Sequence, residues 1–158
     1  MRKLITLQNK DNLNYYLIAI RNKLEDYLFA YNLNKGPFFN FIRMNKDLSC
    51  VVNHGSVYFA TFEYQNRESG QVSFLIKNNS FFEEKASGSD VLFNNYSIYK
   101  KITLLPELKE FDYFLKLNGI WKAEEISQIR QYLNSLESVE SEIIVNINSI
   151  GSISNLIF

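Results

Sequence analysis

A chain of 158 residues, 46% hydrophobic and 22% charged, holds one core, and a domain of this size buries about 70% of the surface its unfolded chain exposes. Seventeen basic residues balance seventeen acidic ones, which withholds the long-range field that draws proteins onto nucleic acid or anionic membranes. Cys50 is the sole cysteine, so an internal disulfide is excluded and a reducing compartment is expected.

The first eleven residues are basic and then apolar, but Gln8, Asn9, Lys10 and Asp11 interrupt the run before signal-peptide length. No stretch reaches the ~18 apolar residues of a membrane helix. A cytoplasmic protein without membrane association is expected. Residues 13–20 then form an apolar run rich in aromatic and β-branched side chains, which predicts a central strand covered on both faces. A helix follows, with Leu24, Leu28 and Tyr31 at helical spacing, Tyr27 alongside, and Gly36-Pro37 as its stop. Strands are predicted over 38–44, 48–52, 57–64 and 72–76, joined by Asn-, Gly- and Ser-rich turns into an antiparallel meander.

From residue 82 to 95 the pattern fades into Ser, Gly, Glu and Lys, which reads as a mobile surface loop within one domain spanning 1–158. Alternating Ile98, Ile102 and Leu104 resume a strand, Pro106 bends it, and Phe111, Tyr113, Leu115 and Leu117 share one face of the next. Residues 122–136 carry the stripe Ile126, Ile129, Leu133 and Leu136, with Glu124 and Glu125 favouring the helix dipole. Ile143, Val145 and Ile147 complete a β-α-β unit, whose crossover is expected to be right-handed. Leu17, Ile18, Leu28, Leu115, Ile126, Ile129, Leu133, Val145 and Ile147 are the expected core. The fold class is α+β: a largely antiparallel sheet with two helices on one face, ferredoxin-like with extra strands.

The segment Leu105-Pro106-Glu107-Leu108-Lys109-Glu110-Phe111-Asp112-Tyr113 resembles the signature of the IPExxxVDY family, with Leu105 for Ile and Phe111 for Val. Tyr16 to Ile20, Asp26-Tyr27-Leu28 and Ser154 to Phe158 are similar to family blocks in the same order. Two places depart from that pattern: Ala19-Ile20-Arg21-Asn22 replaces a Gly-Ile-Ser-Ser-like turn, and Leu28 replaces a frequent basic residue. The resemblance implies a small bacterial cytosolic protein, encoded near a ribonuclease III gene.

Glu107, Glu110 and Asp112 are the nearest approach to an acid-base cluster. Pro106 and the strand alternation favour a different role, in which Glu107 accepts backbone N–H bonds at the bend and Asp112 and Tyr113 lie on opposite faces. These residues and Trp121 are interface candidates, Trp being enriched at binding hot spots. Cys50 and His54 are four apart, but a strand entering a turn does not make their side chains converge, so neither a nucleophilic dyad nor a metal site is expected. Six isolated glycines write no phosphate-binding loop, and no cofactor is expected. Tyr58 and Phe62 could stack RNA bases, yet the spacing of an RNA-recognition strand is not met. The reading is a non-catalytic protein-interaction module binding an unknown partner or itself as a homodimer. RNA association is the alternative, and a small-molecule enzyme the third possibility.

Overall fold

The computed structural model describes residues 15–52, 55–85 and 97–156. In chain order these form β1 (Tyr15–Asn22), α1 (Asp26–Asn34), β2 (Ile42–Arg43), β3 (Leu48–Val52), β4 (Gly55–Phe59) and β5 (Thr61–Gln65). They continue as β6 (Val72–Lys77), β7 (Asn79–Lys85), β8 (Ser97–Thr103), β9 (Tyr113–Asn118), α2 (Ala123–Ser135) and β10 (Val139–Ile144). Six strands make one antiparallel sheet in the order β10-β1-β9-β6-β5-β2. Counting only β1, β6, β9 and β10 as strands one to four, with α1 after the first and α2 after the third, the order is 4-1-3-2, the ferredoxin-like arrangement. The extra strands are the β5 and β2 edge and two separate hairpins, β3-β4 and β7-β8.

The near-continuous apolar runs of β1 and β9 are explained by burial on both faces. Ile18, Ile20, Leu75, Leu115 and Leu117 meet Phe29 and Leu33 of α1 and Ile126, Ile129 and Leu133 of α2. On the opposite face Leu17, Ala19, Phe74, Ile76 and Phe114 are covered by the β3-β4 hairpin, the Pro106 segment and Ile150, Ile153 and Leu156. The expected core residues are therefore split by the sheet, with Leu17 and Val145 on one side and Ile18, Leu115 and the α2 stripe on the other.

Several expectations are corrected. Helix α1 buries Phe29, Ala30 and Leu33, leaving Leu28 40% exposed and Tyr27 and Tyr31 at 63% and 60%. Both stripes have helical spacing; the one carrying two tyrosines can keep its hydroxyls in water, whereas Phe29 cannot. Only Ile42–Arg43 is strand within 38–44. Phe39 stacks on Phe41 at 4.9 Å, and Asn34 clamps the Phe41 backbone, accepting its N–H at 2.7 Å and donating to its carbonyl at 3.0 Å. The predicted strand over 57–64 breaks at Ala60 into β4 and β5, which lie in different sheets. Thr61 turns that corner by donating to the Phe59 carbonyl at 2.8 Å and accepting from Leu48 N–H at 3.2 Å. Part of the predicted loop is strand β7, and residues 86–96 lie outside the described residues. Phe111 precedes β9 and packs on the face opposite Tyr113, Leu115 and Leu117. Strand β10 ends at Ile144, and Ile147 begins a 3₁₀ turn.

The α1 assignment is tested by truncation. Phe29→Ala should cost about 3 to 5 kcal/mol in denaturant unfolding, and Leu28→Ala less than about 1 kcal/mol. Equal losses would show the helix to be rotated from this arrangement.

Candidate functional site

Pro106 opens a short 3₁₀ turn, Pro106–Leu108, where its fixed φ suits the first helical position and its missing N–H removes nothing. The chain from Leu104 to Asp112 encircles Asn78, which is fully buried. Asn78 Nδ2 donates to the carbonyls of Leu108 at 3.0 Å and Phe111 at 2.8 Å, and its Oδ1 accepts the Leu105 N–H at 3.0 Å. Its backbone N–H donates to the Asp112 carbonyl at 2.8 Å, and its carbonyl accepts the Leu104 N–H at 2.7 Å. Sequence reading missed this residue because an Asn after a strand is most simply read as a turn former.

The signature side chains point away from one another. Glu107 accepts the Ser152 backbone N–H at 2.9 Å and the Ser152 hydroxyl. The bonds from Ser152, its hydroxyl first, hold the carboxyl below the usual range. The backbone donors expected there include Glu107's own N–H at the bend, with the Ser152 N–H joining it from the segment Gly151–Leu156. Asp112 accepts the Asn22 N–H at 2.8 Å, at the end of β1. Tyr113 is buried, donates its hydroxyl to the Leu24 carbonyl and lies 4.9 Å from the Phe29 ring. Burial, reinforced by Asp26, raises its hydroxyl pKa. Glu110 is exposed. Three of the four are thus fasteners to three different places, and they form no common site.

Tyr58 projects from β4 at 60% exposure, whereas Phe62 on β5 is 6% exposed with the Arg43 guanidinium 5.3 Å from its ring centroid. The two lie in different sheets and make no shared stacking surface. Cys50 packs against the core, where burial raises its thiol pKa; His54 lies outside the described residues.

A lysine that sequence alternation assigns to no role is also buried. Lys116 is 5% exposed on β9, donates to the Leu156 carbonyl at 2.7 Å and stands 4.8 Å from the Tyr15 ring centroid. Desolvation lowers its pKa to about 8. The signal for it was present in sequence as a lone charge inside the run Tyr113 to Leu117.

Two concave regions flank α2. One, of about 400 Å³, lies between α2 and the edge strand β10. The other, of about 190 Å³, lies beside Trp121, which is half-buried and donates its indole N–H to the Asn118 carbonyl at 3.0 Å. Trp121 packs its ring on the helix-side core. No family model, curated protein or solved structure matches the chain.

Asn78→Asp keeps the shape but sets a carboxylate oxygen against two carbonyls. It should destabilise the fold by about 3 kcal/mol or more at neutral pH, with partial recovery under acid as the carboxyl protonates. A loss of under about 1 kcal/mol, independent of pH, would show that these bonds do not hold the segment. Lys116 gives the opposite pH signature. Folded, it loses its proton near pH 8 against 10.5 for the ordinary side chain, so across that window the unfolded chain binds more protons and stability rises with pH. Relative to Lys116→Met, the wild-type protein should gain about 1 to 3 kcal/mol over this range. A flat difference would refute the buried, desolvated amine.

Proposed function

We propose that the protein is a non-catalytic, cytosolic interaction module that receives an extended segment of a protein partner along β10. The observation that supports this reading is the unprotected state of that edge. Strand β10 ends the sheet, and among the described residues no strand pairs with its outer side. Natural edges are blunted by short length, charged side chains, Pro or bulges. The opposite edge, β2, obeys this with two residues. Strand β10 runs six residues without Lys or Pro, its Glu140 and Glu142 are paired with Arg21, Lys23 and Arg130 of the same protein, and it exposes Ile143 and Ile144 at 41% and 43%.

The backbone geometry suits strand addition. Val145 N–H donates to the Leu17 carbonyl at 2.8 Å, so by antiparallel alternation Ile144 and Glu142 turn their N–H and C=O groups outward. Side chains of an added strand on the helix side would enter the groove lined by Tyr16, Ile126, Ile144 and Glu142. Glu142 accepts from Arg130 at 2.8 Å and from Asn134 at 3.0 Å, which neutralises the groove and leaves its apolar parts to select the occupant. Membership of the IPExxxVDY family belongs to the same proposal, with its Pro106 segment acting as scaffold on the far face of the sheet. Nothing in the placement of Tyr58 and Phe62 favours the RNA reading.

Ile144→Pro removes one outward N–H while sparing the pairing with β1, a position an edge strand tolerates. Wild-type protein in nuclease-treated native extract should retain a partner, or a second copy by sedimentation, that this variant loses by about tenfold or more. Equal retention by a folded Ile144→Pro variant would exclude β10 as the interface. Loss of the captured material on nuclease treatment would favour RNA instead.

A further inference from the structure

We propose that the 190 Å³ cavity beside Trp121 binds an organic ammonium group. Three aromatic side chains, Phe38, Tyr64 and Trp121, line it, and each is half-buried against the helix-side core. They come from three separate places in the chain: the connection after α1, strand β5 and the approach to α2. The cavity is therefore a product of the tertiary fold. The indole N–H is occupied by the Asn118 carbonyl at 3.0 Å, so Trp121 offers a ligand its π electrons and no donor.

The polar lining has one sign. Among the described residues, Glu125 is the only charged one that lines the cavity, and neither Lys nor Arg does. Its Oε2 accepts the Lys122 N–H at 2.7 Å at the start of α2, Gln71 Nε2 stands 3.5 Å from both its oxygens, and no salt bridge engages it among the described residues. Glu124 and Glu125 in the first turn oppose the positive end of the helix dipole, which would otherwise disfavour a cation here. Ser73, 1% exposed on β6, also lines the cavity. Gln71 closes one side, held by its Nε2 donating to the Ile120 carbonyl at 2.8 Å.

Aromatic rings with a carboxylate that no basic side chain neutralises are the chemistry of ammonium recognition, in which ring quadrupoles and one negative charge replace the cation's water. An anion would meet Glu125, and a nucleotide-sized molecule exceeds the space, since drug-sized ligands occupy about 300 to 1,000 Å³. A compact head group such as tetramethylammonium or choline is of the right size. The cavity is distinct from the β10 groove, so this proposal and the interaction reading stand or fall separately.

Trp121 is the only tryptophan, so its emission reports this site alone. Titration with choline and with tetramethylammonium, at constant ionic strength, should shift that emission saturably. Glu125→Gln keeps an acceptor for the helix start and removes the charge; it should weaken binding by about tenfold with the fold retained, and the uncharged tert-butyl analogue of choline should bind wild type by about tenfold less. Tyr64→Leu should also weaken binding. No saturable change by about 100 mM, equal affinity for the uncharged analogue, or unaltered affinity in a folded Glu125→Gln variant would each overturn the proposal.

Discussion

Asn78 stands where the chain leaves the six-stranded sheet after β6, and its hydrogen bonds decide where the chain comes back. Its side chain satisfies Leu105, Leu108 and Phe111, and its backbone satisfies Leu104 and Asp112. Each such bond contributes only about 1 kcal/mol net, but each buried group left without its partner costs about 1 to 3 kcal/mol. The arrangement is therefore held by the expense of every alternative. One consequence is topological. The β7-β8 hairpin departs at Asn79 and returns at Thr103, two residues paired with each other, so an entire hairpin is inserted between β6 and β9 without disturbing their pairing. The Pro106 segment can be irregular because one buried amide provides partners that a regular ladder would otherwise supply.

The same face of the sheet is closed by a second set of polar ties. Glu107 holds Ser152, Asn155 donates to the Leu104 carbonyl at 2.9 Å, and Lys116 reaches the Leu156 carbonyl. Together they fix the C-terminal 3₁₀ segment, Gly151–Leu156, over Phe114 and Leu17. An amine inside this layer costs desolvation free energy, which its lowered pKa records. Replacing it by an apolar residue would remove that cost but also the donor to Leu156. The helix side has a different character. Its packing is almost wholly apolar, through Phe29, Leu33, Ile126, Ile129 and Leu133. The sheet thus separates a layer located by hydrogen bonds from one located by side-chain shape.

That separation explains what was legible in the sequence. The elements packed by shape announced themselves: β1 and β9 as apolar runs, and α2 as a stripe of Ile126, Ile129 and Leu133, all buried as expected. The ferredoxin-like order followed from where those elements fall. Helix α1 failed in orientation only, because its two apolar stripes are equivalent until tyrosine's tolerance of water is weighed against phenylalanine's. The layer held by hydrogen bonds was less legible, since Lys116 showed only as a lone charge in an apolar run and one Asn gives no periodic signal. Glu107 was legible as a staple, yet its partner Ser152 lies 45 residues away, and no local rule reaches that far. The split at Ala60 was likewise invisible, because both halves of the run have strand composition and the corner depends on Thr61 bonding across it.

Both proposed sites use α2 as a wall, and this follows from how the helix is seated. Ile126, Ile129 and Leu133 bury one side completely or nearly so, while the flanks remain free to face outward. On one flank Arg130 and Asn134 hold Glu142 at the β10 edge; on the other Glu125 and Gln128 border the Trp121 cavity. A helix fixed by three buried aliphatic side chains cannot shift toward one flank without opening the other, because close-packed cores deform in discrete rearrangements and not continuously. The rigidity that makes α2 useful as a wall also fixes the spacing on both sides. The position of Gly36 fits the same constraint: a Cβ there would stand 2.4 Å from the Tyr132 ring, and that ring, through its hydroxyl on the Asn32 carbonyl at 2.8 Å, ties α2 to the end of α1. The chain after α1 then leads directly into Phe38, so the residue that lets the two helices meet is also the one that sets the first wall of the cavity.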